Sequence, residues 1–205
     1  MFNQEDTLDV KERILLVAKD LFTKNGFKGT SIRDIATKAD TNVAMVNYYF
    51  QSKYNLFEII FEQTLDILFE RIFSNLTSDK PFFELVEAWI SSYFEFLTEY
   101  PYMPTFLLNE VTLNPQRLTD RIQHRSPYGV YLKVSERIKQ EVEKGAIKPT
   151  PALDFMLNVV SLCVFPFIVG NLARPMAGVT QDDYDKMLEE HRTYVAEFVI
   201  NAIKA

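Results

Sequence analysis

Apolar residues recur every three or four positions along most of this chain, which is the spacing of amphipathic helices. No stretch shows the strict apolar–polar alternation of a half-buried strand. The pattern predicts helices at residues 8–24, 31–39, 43–50, 53–76, 82–99, 106–114, 118–124, 128–144, 152–173 and 181–203. We therefore expect an all-α fold.

Two of these helices are short and are joined by a three-residue polar turn. Ser31 begins the first of them, and Asp34 follows three residues later, which is the spacing of a capping box. The second, Val43–Phe50, follows Asn42, a residue that caps helices well. Two short helices with such a turn form a helix-turn-helix unit, in which the second helix enters the major groove of DNA.

One face of the second helix suits contact with base edges. Val46 and Phe50 are four residues apart and are expected to face a core, which turns the residues between them outward. Among these, Asn47 carries the side-chain amide that can pair with adenine. Hydroxyls, backbone N–H groups and basic side chains near helix starts can hold phosphates. The expected DNA-contacting residues are Thr30, Ser31, Arg33, Asn42, Val43, Ala44, Asn47, Tyr48, Tyr49 and Lys53.

The order and spacing of the N-terminal residues resemble the DNA-binding domain of the TetR family of bacterial transcription regulators. The residues that carry the resemblance are Ala18, Phe22, Gly26-Phe27, Thr30–Ala36, Val46, Tyr48–Phe50, Ser52-Lys53 and Leu56. The family usually has Gly where Asp40 stands and Leu-Tyr where Val46-Asn47 stand. That family Tyr contacts phosphate, so Asn47 favours base reading at this position. Tyr49, where many relatives have His, keeps a hydroxyl donor for phosphate.

The resemblance implies a three-helix DNA-binding domain at residues 1–52, joined by a long helix to a helical ligand-binding and dimerisation domain at residues 53–205. It implies a homodimer that binds a palindromic DNA operator and acts as a repressor. A small apolar or aromatic effector would release it. The helices that surround the effector in relatives carry Trp89, Tyr93, Phe96, Tyr102, Phe106, His124, Tyr131 and Phe165 here. The last two long helices, which form the dimer interface in the family, carry Phe155, Val159, Leu162, Tyr194 and Phe198.

Composition supports a cavity or a large interface in the C-terminal part. Aromatic residues make up 14% of the chain, with 17 Phe and 10 Tyr, which exceeds what packing of two small helical domains needs. The predicted helix Ala152–Ala173 is apolar nearly all round, so it must be covered on all sides, and a second subunit is the natural cover. Pro166 is expected to kink it. The apolar run Val159–Gly170 is expected to be too short to span a membrane.

The net charge is −6, but the acidic residues are concentrated outside the helix-turn-helix unit. Residues 24–53 contain five lysine or arginine residues and two acidic ones, whereas residues 61–205 contain 14 and 20. The DNA-binding unit is therefore locally positive, and an acidic remainder would discourage non-specific binding to nucleic acid.

The sequence offers no motif for catalysis, and we expect no metal or cofactor. His124 and His191 lie in no metal-binding spacing, and the chain has no glycine-rich phosphate loop. His191 follows two glutamates and is expected to be a bystander on a solvated face. Cys163 is the only cysteine, which suits a reducing cytoplasm, and the first ten residues lack the apolar core of a signal peptide. We expect a cytoplasmic protein.

Two other functions remain open from the residues. The protein could be a helical carrier or sensor whose DNA-binding domain has lost that function, which the overall acidity and Asn47 would support. It could also be an enzyme, a hypothesis that only the expected cavity supports. Turnover of a bound ligand would identify an enzyme, and the absence of salt-dependent DNA affinity would identify a carrier.

Overall fold

The computed structural model describes residues 9–113 and 115–205 of the 205-residue chain. Within these ranges the chain forms ten α-helices and no strand, so the expected all-α fold is confirmed. An isolated bridge between Ile147 and Lys204 is the only β pairing in the same ranges. The helices are α1 Val10–Gly29, α2 Ile32–Lys38, α3 Val43–Phe50, α4 Lys53–Leu76, α5 Phe82–Glu99, α6 Met103–Leu113, α7 Pro115–Gln123, α8 Pro127–Glu143, α9 Ala152–Ala177 and α10 Gln181–Ile203.

Proline positions explain two differences from the predicted helix bounds. Helix α6 begins earlier than predicted because Pro104 lies in its first turn, where a missing N–H leaves no helical hydrogen bond unmade. Helix α7 begins at Pro115, since proline is favoured at the first helical position. Leu8 and Asn114, at which the first predicted helix begins and the sixth ends, lie outside the described residues.

The chain divides into two compact units, and the division falls within α4. The N-terminal unit ends at Ile67, and the C-terminal unit comprises Leu68–Ala205. In the N-terminal unit, α1, α2 and α3 pack on one another. Gly26 has φ of 69° inside α1 and interrupts its helical path, a backbone conformation that glycine adopts at little cost. The buried core of this unit includes Ile14, Ala18, Phe22, Ile35, Ala36, Val46, Phe50, Leu56 and Phe57.

Helix α9 is the centre of the C-terminal unit and packs against α5, α6, α8 and α10. Pro166 has no N–H, so the carbonyl of Leu162 lacks its helical partner. The imidazole of His191 on α10 interacts with that carbonyl. His191 is half-buried, so the expectation that it is a bystander on a solvated face is wrong. Burial also lowers its pKa below the usual range.

A close contact fixes α10 on α9 near the same proline. The hydroxyl of Tyr184 donates to the carbonyl oxygen of Pro166 at 2.8 Å. A Cβ on Gly170 would lie 3.0 Å from the ring of Tyr184, so glycine is what allows the ring to approach. Two side chains of α10 thus contact carbonyls in this part of α9, Tyr184 at Pro166 and His191 at Leu162.

Helix α9 is longer than the sequence indicated. Its 26 residues are long and apolar enough, by length and composition alone, to cross a membrane, so the expectation that the apolar run is too short is wrong. The core helix of a soluble protein passes the same test. Here α9 packs on four neighbouring helices and buries Phe155, Val159 and Cys163 among them.

Candidate DNA-binding surface and effector-binding residues

Helix α2 begins with the capping box that the sequence predicts. The hydroxyl of Ser31 accepts a hydrogen bond from the backbone N–H of Asp34 at 3.1 Å. The carboxylate of Asp34 accepts from the backbone N–H of Ser31 at 3.0 Å. These bonds satisfy two N–H groups that the helix leaves without partners, and those from Ser31 lower the pKa of Asp34.

The turn between α2 and α3 is a Schellman motif without glycine. The N–H of Thr41 donates to the carbonyl of Ala36 at 3.0 Å, and the N–H of Asp40 donates to Thr37 at 3.3 Å. Asp40 has φ of 48°, in the left-handed region that glycine occupies at lower cost. This is the position at which the resembling family usually has Gly, so the same backbone shape is kept with a different residue.

Helix α3 is held at both ends by hydrogen bonds that leave the side chains of Val43, Ala44 and Asn47 unused. At its start, the side-chain oxygen of Asn42 accepts from the N–H of Met45 at 2.9 Å. At its end, Gln51 has φ of 63°, and the N–H of Ser52 donates to the carbonyl of Phe50 at 2.7 Å. A γ-turn with positive φ is a rare and strained conformation. Helix α3 is therefore capped by a side chain at its start and held by the backbone at its end.

The outer face of α3 is exposed in the way the sequence predicts. Val46 and Phe50 are almost completely buried, and Tyr49 is half-buried. Tyr48 is 77% exposed, and its ring meets that of Tyr49 edge-on at 5.2 Å. We call the exposed residues the reading face: Asn42, Val43, Ala44, Asn47 and Tyr48. Small side chains at its start leave the backbone accessible, and Asn47 lies in its middle.

Two of the predicted phosphate contacts have other partners inside the N-terminal unit. Thr30 is only 2% exposed, and its hydroxyl donates to the carbonyls of Gly26 and Leu21. The prediction that this hydroxyl holds a phosphate is therefore wrong. Lys53 donates to the carbonyls of Phe27 and Thr30, both at 2.9 Å. Its ammonium group also lies 4.1 Å from the centre of the Phe27 ring. Because two of its three donors are used, Lys53 mainly ties down the segment before α2.

The cations of this unit divide into paired and exposed ones. Lys24 and Lys38 both form ion pairs with Asp20 and lower the pKa of its carboxyl group. Lys28 and Arg33 are exposed. Ser31 is also exposed at the start of α2. The predicted phosphate contacts that the structure leaves at the surface are thus Ser31 and Arg33.

The predicted effector residues are only partly brought together. Trp89 and Phe96 are buried, and Trp89 lies beside Tyr93 with ring centroids 6.1 Å apart. Burial raises the pKa of Tyr93, and it raises that of Cys163 to about 12. Tyr102, Phe106 and Tyr131 are half-buried, whereas His124 and Phe165 are exposed. Exposure of Phe165 contradicts its prediction as a pocket residue in this chain.

An open groove of about 390 Å³ lies elsewhere in the C-terminal unit. It contains none of the predicted effector residues. Its lining mixes charges of both signs, including Lys133, Arg137, Glu136 and Asp79. We do not identify it with an effector site, because effector sites are mostly apolar with few polar groups.

Sequence reasoning missed Glu110, which the structure places inside the C-terminal unit. Its side chain is buried, with 6% of its surface exposed. The signal was present in the sequence, since Glu110 lies seven residues after Met103 and four after Phe106, on one face of α6. A carboxylate on an otherwise apolar helix face is an unusual position.

The predicted dimer residues fall into two groups. Phe155 and Val159 are buried within their own chain, so their prediction as interface residues is wrong, and Leu162 is half-buried. Tyr194 is 60% and Phe198 51% exposed, and their rings are stacked. The structure shows further exposed apolar side chains on α9 and α10. We call this set the apolar face: Leu153, Leu157, Phe165, Leu172, Met176, Met187, Tyr194 and Phe198.

Comparison with known proteins agrees with the helix-turn-helix geometry. The sequence profile of the bacterial regulatory proteins of the tetR family matches residues 14–60. The probable HTH-type transcriptional regulator YttP of Bacillus subtilis is 28% identical over 165 residues, which cover 78% of each chain.

Two solved structures share the fold over nearly the whole chain. The ketosteroid transcriptional regulator KstR2 of Mycobacterium tuberculosis has a TM-score of 0.65 at 17% identity, covering 100% of this chain and 97% of that one. HlyIIR, a hemolysin II transcriptional regulator, has a TM-score of 0.58 at 21% identity, covering 96% and 97%. The matched family and the curated relative are transcriptional regulators and not enzymes, which speaks against the enzyme hypothesis. The profile match to residues 14–60, the relative that covers most of the chain and the shared fold support a TetR-family transcription regulator.

Proposed function

We propose that this protein is a cytoplasmic repressor that binds a near-palindromic operator as a homodimer and leaves it when a small effector binds. We further propose that residues 1–52 bind DNA and that residues 53–205 bind the effector and form the dimer. The observation that carries the proposal is the reading face, which is exposed while its helix is capped by the Asn42 side chain at one end and held by backbone hydrogen bonds at the other.

DNA would be read by the reading face of each subunit in successive major grooves. Asn47 would pair with an adenine, and Tyr48 and Tyr49 would contact the backbone or a base edge. Arg33 and Ser31 would hold phosphates beside the groove. A two-fold dimer would then require half-sites about one helical turn or more apart.

The apolar face supports the homodimer. Only 17% of the most apolar window of α9 is buried within the chain. Its exposed residues continue onto α10, where Met187, Tyr194 and Phe198 follow each other at helical spacing. A contiguous apolar surface of this kind marks an interaction site. Since a two-fold dimer uses the same patch on both subunits, a second copy of α9 and α10 would cover it.

Release by an effector would follow from linkage. A ligand that binds more tightly to a conformation with the wrong spacing of reading faces lowers the affinity for the operator by the same factor. The aromatic residues buried or half-buried in the C-terminal unit, such as Trp89, Tyr93 and Phe106, support an apolar or aromatic effector.

The test is selection of bound sequences from random double-stranded DNA by the purified protein at two salt concentrations. We expect enrichment of one near-palindrome, with an affinity that falls steeply as salt increases. Because a co-purified effector could block binding, the selection is repeated after unfolding, washing and refolding. No enrichment in either preparation at low salt would contradict the proposal and favour a carrier that has lost DNA binding.

A further inference from the structure

Glu110 is a buried glutamate, and one oxygen of its carboxylate has no hydrogen-bond partner among the described residues. Its side chain is 6% exposed, and its Oε2 atom is inaccessible to solvent. Among the described residues, no hydrogen bond or ion pair reaches this oxygen. The residue lies on α6, which packs against α7 and α9 within the C-terminal unit.

A buried carboxylate oxygen without a partner destabilises the folded protein. A buried carboxylate loses its hydration and is normally found only where a cation or several donors replace it. Removing the partner of a buried charge is strongly destabilising for the same reason. Unsatisfied buried groups of this kind are rare and occur at functional sites, so Glu110 is a candidate contact for a bound molecule.

The same unit contains a second buried glutamate, and its carboxylate has positively charged partners within the chain. Glu141 on α8 is 9% exposed, close to the value for Glu110. Its Oε1 atom accepts from the ammonium group of Lys144 at 2.8 Å and lies 3.6 Å from Nε of Arg137. The two glutamates thus have similar burial and differ in whether the protein itself supplies the positive charge.

The surroundings of Glu110 favour an apolar ligand. On the same face of α6, Met103 is completely buried and Phe106 is half-buried. Ligand sites combine such apolar walls with a small number of polar groups that select and orient the ligand. We propose that Glu110 is the charge-selecting residue of the effector site and that the effector is an apolar, aromatic-sized molecule carrying a cationic nitrogen.

This inference rests on the proposed effector function but adds its chemistry. A neutral ligand of the same shape would leave the carboxylate buried and unpaired, whereas an ammonium or amidinium group would replace its missing partner. Discrimination between the two ligands is therefore strong, as it is wherever a site has a buried polar group that only one ligand can satisfy.

The test uses matched pairs of probes with the full-length protein. Naphthylmethylammonium and biphenylmethylammonium are compared with naphthylmethanol and biphenylmethanol by calorimetry at neutral pH. We expect each cation to bind about tenfold or more tightly than its alcohol. Glu110→Gln should abolish this preference, and Glu141→Gln should retain it. Equal binding of cation and alcohol, absence of binding by every probe, or a preference that survives in Glu110→Gln would overturn the proposal.

Stability without ligand gives an independent readout. Glu110→Leu should leave the unfolding midpoint unchanged or raise it, because it removes an unpaired buried charge, while Glu141→Leu should lower it by leaving Lys144 and Arg137 without their partner. A marked decrease for Glu110→Leu would show that the carboxylate is satisfied in the folded chain and would overturn the proposal.

Operator binding by the wild-type protein is measured separately. If it binds an operator but shows no preference for cations, only the assignment of Glu110 fails. If it binds no DNA but does show the preference, the regulator proposal fails and the cation site stands.

Discussion

The helix-turn-helix of the N-terminal unit and helices α6, α9 and α10 of the C-terminal unit differ in how their polar and apolar groups are placed. In the helix-turn-helix, Ser31 and Asn42 cap helices, and the ammonium group of Lys53 donates to two backbone carbonyls. In the C-terminal helices, Oε2 of Glu110 is buried without a hydrogen-bond partner, and an apolar face lies in solvent. The first arrangement is satisfied by residues of the same unit, whereas the second presents groups that we propose other molecules contact.

The largest expected effect comes from introducing charges into the apolar face, and it concerns the stability of the proposed dimer. The double substitution Tyr194→Glu and Phe198→Glu would bury charges in the proposed dimer interface. We expect the dissociation constant of the dimer to rise about a hundredfold or more, the size expected when anchor residues at an interface are lost. Sedimentation at several concentrations measures it. Glu197→Ala, between the two sites and also exposed, is the matched control. A double variant that remains as dimeric as the control would contradict the interface.

The next prediction distinguishes the structural role of Lys53 from the proposed DNA contact of Arg33. Lys53→Ala removes two hydrogen bonds from a charged donor and should lower the free energy of unfolding by about 1.5–3 kcal/mol. Arg33→Ala, at an exposed residue, should leave it within about 0.5 kcal/mol but reduce the slope of DNA affinity against salt by about one. Chemical denaturation and binding titrations distinguish them. If Lys53→Ala is as stable as wild type and lowers the salt slope instead, Lys53 is a phosphate contact.

A smaller effect concerns the reading face. Asn47→Ala should cost about 1–3 kcal/mol of discrimination at one adenine of each half-site, with little change at other positions. Repeating the selection from random DNA with the variant measures this directly. Asn25→Ala, the same substitution at an exposed residue of α1 outside the predicted DNA contacts, serves as the control. Equal weakening on every sequence would show that Asn47 binds the backbone and does not read a base.

The smallest effect tests the backbone at the turn. Asp40→Gly should raise the free energy of unfolding by about 0.5–1 kcal/mol, because glycine adopts positive φ without steric cost. Lys38→Gly, two residues earlier and inside α2, should lower it by about 1 kcal/mol. Denaturant unfolding of both variants gives the comparison. Destabilisation by Asp40→Gly would mean that the carboxylate, rather than the backbone, stabilises the turn.

Local features of the sequence predict most of the N-terminal unit. Caps and turns involve residues three or four positions apart, so Ser31, Asp34 and Asn42 can be interpreted without the fold. The roles of Thr30 and Lys53 could not, because their partners lie up to 26 residues away and are carbonyls that any residue could present. A hydroxyl or an ammonium group near a helix start has the same sequence signature whether it faces phosphate or protein.

The C-terminal unit is predictable in its helices but not in their orientation. Helix α9 is apolar nearly all round, so its sequence does not distinguish the buried Phe155 and Val159 from the exposed Leu153 and Leu157. Only packing against α5, α6, α8 and α10 decides which side faces solvent. The prediction of Phe165 as a pocket residue rests on which helices surround the effector in relatives, and this does not determine which side of its helix faces solvent. Glu110 could have been noticed as a charge on an apolar helix face, but its lack of a partner is visible only in three dimensions.

The strained backbone at Asp40 and Gln51 has a consequence for how this regulator can change over evolutionary time. Both residues use main-chain atoms to hold α3, and neither needs the side chains of Val43, Ala44 or Asn47. Substitutions on the outer surface of α3 can therefore alter which DNA sequence is preferred without disturbing the support beneath it. Lineages with new operators would be expected to vary at these three positions and to keep a residue tolerant of positive φ at each end.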